Sequence, residues 1–383
     1  MTRNVSLALL IAAFPAVAGD PGHVYFQRLA EPSLDRFTNS PDSAGKTWLR
    51  DHFFRMAVFS PYFDPRTKWY PQALFYRNLY GVPTDSRVYA QHPDWVLHDS
   101  GRRPLYIPWG CKNGVCPQYA GDIANPAFRE WWIGEARATL ARGYFGIWID
   151  DVNMEFRVSD GNSVQATPID TFSGRPMSAE AWRGHVADFV EQIRSAFPKV
   201  EIVHNSLWFA GPDGVRDKDP AIRRQIAAAD NLNIERGIAS DQGLKGGNDI
   251  WSLNALFAYI DRVHEAGRGV TLEEYSPDRA GLAYSLAGYF LISSGNDRIG
   301  DATTNPANWW NGFDIDLGAP SGPRSYHAGV FQRAFTGGMV LLGEPGLSPR
   351  KVSLPGAFVN PDGQPVTTVE VHAREGVILR KAR

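Results

Sequence analysis

Residues 125–151, NPAFREWWIGEARATLARGYFGIWIDD, decide the fold of this chain. Asn125 is of a type that caps helices, and Pro126 suits the first helical position. Residues 144–149 then form a continuous apolar run, which is typical of a strand buried on both faces of a parallel sheet. The stretch therefore predicts a helix followed by a parallel strand that ends in two aspartates.

The same helix–strand plan recurs on both sides of this stretch. Downstream, helical spacing precedes predicted strands at residues 200–204, 231–234 and 269–272, and a last unit spans 280–294 and ends near Asp297. Upstream, the first three predicted strands are residues 53–60, 72–80 and 118–123. The count approaches eight, so we predict an α/β fold, a (β/α)8 barrel. A doubly wound sheet is the alternative, but the chain lacks the glycine-rich first turn that this fold usually carries.

The C-terminal part of the chain has a different sequence pattern. After about Ser325, Gly- and Pro-rich turns separate short β-type runs at residues 330–335, 339–342, 352–354, 366–371 and 377–379. Short strands at this spacing predict a small antiparallel β-domain.

The N-terminus has the pattern of a secretion signal. Arg3 supplies a positive charge, residues 7–13 are apolar, and residues 16–18 (Ala-Val-Ala) match a cleavage site. The apolar run is too short to span a bilayer. We therefore expect a secreted or periplasmic protein without a membrane span. The predicted domains are a signal peptide at 1–18, a catalytic barrel at 19–325 and a β-domain at 326–383.

Composition and cysteine content limit the classes of binding partner and metal site that the chain can have. Lys and Arg total 39 and Asp and Glu total 41, a net charge of −2, which disfavours nucleic acid as a partner. Cys111 and Cys116 are the two cysteines. In an oxidising compartment they predict a disulfide that closes a small loop, whereas two thiols alone make a poor zinc site.

Polar or acidic residues follow the ends of the predicted strands: Asp150, Asp151, Asn205, Glu235, Arg236, Glu273, Glu274 and Asp297. The C-terminal ends of barrel strands meet at one face, and this face carries the active site. Any single acid there could mark only the point where the strand leaves the core for water. The coincidence of several acids with an Asn and an Arg favours a functional site.

Two carboxyl groups are what the cleavage of a glycosidic bond requires. Asp150 directly ends a buried strand, and we predict that it is the nucleophile or the base. Glu235 ends a later strand across the cavity, and apolar surroundings would favour the protonated form that a general acid needs. Retention and inversion both stay open, because a carboxyl separation of roughly 5 Å favours the first and roughly 6.5–9.5 Å the second.

Further side chains are candidates for binding the substrate. The predicted substrate-binding residues are Asp64, Tyr119, Asp122, Asp151, Asn205, Trp208, Arg236, Glu273 and Glu274. Aromatic residues that could form sugar platforms or pack at the rim are Tyr62, Trp69, Tyr70, Trp109, Tyr119, Trp208, Trp309 and Trp310. We expect no metal and no cofactor, because the histidines lack His-x-x-x-His spacing and the acidic run 150–155 lacks that of a calcium loop. The chain also lacks a Gly-x-Ser-x-Gly elbow, which weighs against a serine esterase.

Several segments carry a resemblance to a known family: Ser60-Pro-Tyr-Phe-Asp64, Tyr76-Arg-Asn-Leu-Tyr80, His92-Pro-Asp-Trp95, Pro117-Gln-Tyr-Ala-Gly-Asp122 and Asn125-Pro-Ala-Phe-Arg129. Through them, most of the chain resembles exported glycoside hydrolases of the hypothetical glycosyl hydrolase-like family 15. The resemblance implies a barrel glycosidase and implies little about the substrate.

A wider resemblance is to the endo-α-1,4-polygalactosaminidases of glycoside hydrolase family 114. The segment Gly146-Ile-Trp-Ile-Asp-Asp-Val152 is similar to the strand end that bears that family's catalytic Asp, which implies this role for Asp150. By the same resemblance, Asn233-Ile-Glu235 implies the second carboxylate at Glu235, and α-galactosidase-type barrels pair acids on the same two strands. The insert at residues 155–177 and the pair Glu273-Glu274 depart from the pattern and leave Glu273 or Glu274 open as the acid.

Two other functions compete with a glycoside hydrolase that acts on a poly- or oligosaccharide, such as an α-linked exopolysaccharide. A carbohydrate-binding barrel without catalysis would keep the aromatic rim but would not need paired acids. A transglycosylase would share the same residues and differ in how it excludes water. The sequence leaves the sugar, its linkage and the oligomeric state open.

Overall fold

A computed structural model describes residues 19–155, 157–162, 165–206, 218–239, 244–276, 278–360 and 363–382. Within these residues, none of the helices combines the length and the apolar character that crossing a membrane requires.

Eight parallel strands close into a barrel, which confirms the predicted (β/α)8 fold. In the order in which they pair around the barrel, the strands are β1 (Phe26–Arg28), β2 (Arg55–Val58), β3 (Ala73–Asn78), β6 (Gly146–Asp150), β7 (Glu201–Ser206), β8 (Asn231–Ile234), β9 (Gly269–Glu273) and β10 (Arg298–Asp301). β10 pairs with β1 in parallel and closes the ring.

Helices lie in the connections between the barrel strands, and the longer ones cover the outside of the barrel. The helices are α1 (Asp35–Thr38), α2 (Ser43–His52), α3 (Val88–Gln91), α4 (Pro126–Leu140), α5 (Ala179–Ala196), α6 (Pro220–Ala228), α7 (Leu253–Glu265) and α8 (Arg279–Ile292). The Asn125 side chain accepts the N–H of Ala127 at 2.9 Å, so α4 begins with the predicted cap. Outward strand residues such as Ile147 and Ile149 pack under the helices in the main core.

The predicted strand at residues 118–123 is not part of the barrel. Its ordered part, β5 (Gln118–Ala120), pairs antiparallel with β4 (Gly81–Pro83) and forms a small separate sheet. β4 follows directly after β3, so this sheet lies beyond the C-terminal ends of the strands.

Two barrel strands, β1 and β10, were not predicted from the sequence. Their interior positions carry polar side chains, Gln27 and Arg298, which hydrogen-bond to each other at 2.8 Å. Neither strand therefore shows the continuous apolar run that marks a buried parallel strand. Asp297 directly precedes β10 rather than following a strand, and its carboxylate accepts the N–H of Val270 at 2.8 Å.

The C-terminal sheet is antiparallel, as predicted. Its strands, in sheet order, are β11 (Ser325–His327), β12 (Val330–Ala334), β13 (Gly338–Gly343), β16 (Gly376–Lys381), β14 (Arg350–Val359) and β15 (Pro365–Val371). One face packs on the barrel helices, with the Phe331 ring 5.1 Å from that of Phe257 on α7. The sheet is thereby anchored beside α7 and α8 and shares part of the main core.

Candidate active site

Strand alternation aims one series of side chains into the barrel. Trp148 and Val203 belong to a small interior cluster, and because strand side chains repeat every second residue, Asp150 and Asn205 point the same way. Asn233 and Glu273 continue this series on the two following strands, where they are hydrogen-bonded to each other. The interior thus ends in a polar layer at the C-terminal face of the barrel.

Asp150 is held by three donors. The Tyr76 hydroxyl donates to Oδ2 at 2.5 Å, and the Asn205 side-chain amide donates to Oδ1 at 2.8 Å. The backbone N–H of Asp151 donates to the same Oδ1 at 2.9 Å. An acceptor-only carboxylate is the form that three donors suit, so the side chain is fixed in the orientation that a nucleophile or base needs.

A chain of side-chain amides connects Asp150 to a second acid. The Nδ2 of Asn233 donates to Asn205 Oδ1 and to Glu273 Oε2, both at 2.6 Å. The Tyr275 side chain also hydrogen-bonds to Glu273. One network therefore runs from β6 through β7 and β8 to β9 and fixes the spacing of the two acids.

Glu235 directly follows β8 and is partly exposed. Burial first, and then the charge of Asp150, raise the pKa of its carboxyl above the ordinary value. The charges of Arg236 and Arg157 oppose this rise without cancelling it. A carboxyl whose pKa is raised and that remains accessible can act as a general acid.

Glu273 and Glu274 point in different directions because they are neighbours at a strand end. Glu273 is 5% exposed, and burial, with the charges of Glu235 and Asp150 added, raises its pKa to about 7. Glu274 accepts the backbone N–H of Ser276. Its pKa also rises to about 7, through burial and the charge of Asp301. The structure therefore groups Glu273, but not Glu274, with Asp150 and Glu235.

Asp151 lies beside the acids in a left-handed backbone conformation, with φ of 57°. Its carboxylate accepts the Asn78 amide at 2.6 Å and the Trp109 indole N–H at 3.1 Å. Burial and the charge of Asp150 raise its pKa to about 7. A non-glycine residue held in this conformation is strained, and such strain is concentrated at functional sites.

Two further predicted substrate-binding acids, besides Glu274, are not brought to this cluster. Asp64 accepts the Tyr144 hydroxyl at 2.8 Å and pairs with Arg142 at 2.9 Å. Asp122 is buried, and its carboxylate accepts the Thr171 hydroxyl and the N–H of Ala124. Both carboxylates anchor loops.

The predicted aromatic platforms are dispersed. Tyr119 is stacked between Tyr89 and Tyr106, at 4.3 and 5.0 Å. Trp309 packs on Phe26 in the core region. Trp208 lies outside the described residues.

The remaining aromatic candidates differ in their contacts. Tyr70 is fully buried and bonds to the Phe53 carbonyl. Tyr62, Trp69 and Trp310 contact Arg66, Phe63 and Phe313 respectively. Among the candidates that the structure describes, Trp109 is joined directly to the acidic cluster, through Asp151.

Several site residues were not singled out for a role in the sequence analysis: Tyr76, Asn78, Arg157, Asn233 and Tyr275. Tyr76 and Asn78 alternate along β3 and both reach aspartates at the end of β6, so alternation along the strand was an available signal. Arg157 lies in the insert, and no spacing rule connects an insert residue to a strand end.

The predicted disulfide is present and joins Cys111 to Cys116. In the part of the chain that the structure describes, no three His, Cys, Asp or Glu side chains are grouped to hold a metal ion.

A family model described as hypothetical glycosyl hydrolase family 15 matches residues 67–339, more than half of the chain. The matched region contains Asp150, Glu235 and Glu273. None of the curated proteins matches the sequence.

Solved structures of glycoside hydrolases are similar in fold. The trehalose-6-phosphate hydrolase of Bacillus licheniformis aligns with a TM-score of 0.55 at 10% identity, over 95% of this chain and 99% of that one. A maltogenic α-amylase of Thermotoga neapolitana aligns with a TM-score of 0.52 at 11% identity, over 93% and 98%. The glycoside hydrolase domain of PelA from Pseudomonas aeruginosa gives a TM-score of 0.41 at 15% identity, over 73% and 94%. The first two show a shared fold.

Proposed function

The chain belongs to hypothetical glycosyl hydrolase family 15 and is a glycoside hydrolase, and from this premise we propose that it cleaves a poly- or oligosaccharide with Asp150 and Glu235 as its two carboxyl groups. Asp150 is the nucleophile or base, and Glu235 is the general acid. Asp151, Asn205, Arg236 and Glu273 orient these groups or the substrate.

The observation that carries the proposal is the contrast between the two acids. Three donors hold Asp150, which suits an ionised carboxylate. Glu235 is close enough to Asp150 for that charge to raise its pKa, and it remains partly exposed. Two carboxyl groups that differ in protonation are the requirement for acid-assisted glycoside cleavage.

In the proposed reaction, the Glu235 carboxyl gives its proton to the glycosidic oxygen as the bond to the anomeric carbon breaks. Asp150 either attacks that carbon directly or takes a proton from the attacking water. In the first case, water then releases the sugar from Asp150, and Glu235 recovers its proton from that water. The anomer that is released first distinguishes the two routes.

Glu235 is a better candidate for the acid than Glu273. A general acid has to reach the leaving oxygen, and Glu273 is almost fully buried and already bonded to Asn233 and Tyr275. We therefore assign Glu273 to positioning the network that leads to Asp150.

We also propose that the protein is exported and acts on an α-linked exopolysaccharide. The secretion pattern in residues 1–18, which lie outside the described residues, and the disulfide between Cys111 and Cys116 support export. N-terminal sequencing of the protein from a culture that expresses the full chain tests this. A start near Gly19 in the periplasm or medium is expected, and an uncleaved protein in the cytoplasm would contradict it.

The activity is tested by incubating the purified chain with a panel of bacterial exopolysaccharides and analysing the products by mass spectrometry. We expect oligosaccharide release by the wild type and none by Asp150→Asn. Binding of a glycan that stays intact after long incubation would instead support the non-catalytic alternative. Products longer than the starting glycan would support a transglycosylase.

A further inference from the structure

Trp109 combines an anchored edge with an exposed ring. Its indole N–H donates to Asp151 at 3.1 Å, next to Asp150 in the chain, yet 47% of the residue remains exposed. A tryptophan that serves only to fill a core buries its apolar surface. Here the polar edge points to the acids, and about half of a large apolar side chain faces outward.

The immediate surroundings fix the direction of this ring. Asp151, which accepts the indole N–H, is itself held by Asn78 at 2.6 Å. The Arg157 guanidinium lies over the indole, 5.6 Å from the ring centre. Arg157 also lies close enough to Glu235 for its charge to oppose the rise in the pKa of that carboxyl. Trp109 is therefore tied to both proposed catalytic acids through one neighbour each.

The chain that carries Trp109 is also restrained. Gly110 follows it with φ of 79°, a left-handed conformation that glycine adopts without strain. The disulfide between Cys111 and Cys116 then closes the loop, and the Cys111 sulfur contacts the Ile107 carbonyl at 3.4 Å. A side chain held in advance loses less freedom when a ligand binds.

We propose that Trp109 is a sugar-stacking platform that forms the wall of a binding subsite next to Asp150, with Asp151 and the Cys111–Cys116 loop as its positioning elements. This inference rests on the proposed function, since a sugar ring presents an apolar face of C–H groups that a flat indole can cover. Asp151 is then a positioning residue, and the substrate contacts Trp109.

Native affinity electrophoresis tests the platform without requiring a known substrate. The wild type, Trp109→Phe and Trp109→Ala are run in gels that contain starch, dextran, chitosan, or an exopolysaccharide from the hydrolysis panel. Phe145→Ala is the matched control, because Phe145 is 46% exposed and precedes β6, at the other end of the strand from Asp150. Thermal unfolding of each variant checks that it is folded.

We expect at least one polysaccharide to retard the wild type and Phe145→Ala equally. Trp109→Ala should bind that polysaccharide about tenfold more weakly or worse, and Trp109→Phe, which keeps a flat ring, should lie between them. Equal retardation of Trp109→Ala and the wild type, or no retardation of the wild type, would overturn the subsite. If the wild type is retarded through Trp109 but releases no product, the subsite stands and the proposed hydrolysis fails.

Reduction of the disulfide provides a second measurement that does not depend on a substitution. Dithiothreitol should weaken retardation of the wild type, because the loop that holds Trp109 is released, and should leave Trp109→Ala unchanged. An equal effect of reductant on both proteins would show that the loop acts elsewhere and would overturn its positioning role.

Discussion

The two ends of the barrel interior bury carboxyl groups in opposite ways. At the N-terminal end, Glu201 pairs with Arg55 at 2.9 Å and with Arg298 at 2.8 Å. Although burial alone raises the pKa of Glu201, the charges of Arg298 and Arg55 hold it below the ordinary value. At the C-terminal end, burial and like charges raise the pKa values of Glu235 and Glu273.

The difference lies in which interactions balance the cost of burial. A buried carboxylate with two bound guanidinium groups stays ionised and contributes to structure. Buried carboxyl groups whose main neighbours are amides, hydroxyls and one another keep protons at higher pH, which is the condition for acid–base chemistry. We call the end with Glu201 the closed end, because its charges are paired. The end with Glu235 and Glu273 is the reactive end, because its carboxyl groups can donate and accept protons. The predictions below test this contrast.

The largest expected effect is at the reactive end. Glu235→Gln removes the proposed acid and should lower kcat on a natural glycan by about 10²–10⁴-fold. Activity of the wild type should fall as pH rises through the raised pKa of Glu235, and the variant should lose this limb of the pH profile. Steady-state rates across pH measure both.

The control for that experiment is a second substrate whose leaving group departs easily. A nitrophenyl glycoside of the identified sugar needs little protonation, so Glu235→Gln should lose much less activity on it. An equal loss on both substrates would argue that Glu235 has a role other than general acid.

At the closed end, Glu201→Gln should cost stability rather than chemistry. The substitution leaves Arg55 and Arg298 buried without a charge partner, and breaking such a group costs about 3–5 kcal/mol. Denaturant unfolding measures the loss. The folded fraction should keep its kcat, and a variant as stable as the wild type would refute the paired role of Glu201.

The two ends should also respond to pH with opposite signs. Glu273 has a folded-state pKa of about 7, which is above its pKa in the unfolded chain. Its contribution to the free energy of unfolding therefore falls as pH rises from about 4.5 to 7. Glu273→Gln should therefore stabilise the protein at pH 8, by about 1–3 kcal/mol. The free energy of unfolding at pH 5 and pH 8 tests this, with Glu201→Gln as the control that destabilises. A variant that is less stable than the wild type at pH 8 would contradict it.

The smallest effect is expected outside both ends. Asp64 bonds to Tyr144 and Arg142 and not to the acidic cluster. Asp64→Asn should leave kcat and KM unchanged and should reduce stability by about 1 kcal/mol or less, because Arg142 is half exposed. A loss of activity comparable to that of Glu235→Gln would return Asp64 to the substrate-binding residues.

Local sequence patterns were sufficient to predict a helix or strand where one periodicity of apolar residues continues along the whole segment. The helix and strand of residues 125–151 were predictable because a cap, a helical stripe and an apolar run succeed one another. β1 and β10 were not, because Gln27 and Arg298 face the barrel interior and interrupt the apolar pattern. The run at 118–123 has strand character, but pairing with β4 places it outside the barrel.

The same distinction holds for the site. The sequence placed Asp150, Asn205, Glu235 and Glu273 at strand ends, and the barrel brings these side chains into one network. It could not separate Glu273 from Glu274, because adjacent residues differ only in the direction that the strand imposes on them. Nor could it connect Trp109 or Arg157 to the acids, since both lie in connections whose paths depend on tertiary contacts.

The amino-acid sequence by itself determined the order of most helices and strands and the positions at which acids follow the strands, because both depend on the periodicity of neighbouring residues. Closure of the barrel decided which acids meet, which are paired with arginine and which keep their protons. Those outcomes depend on burial and on distances between residues far apart in the chain, and these exist only once the strands have closed into a ring.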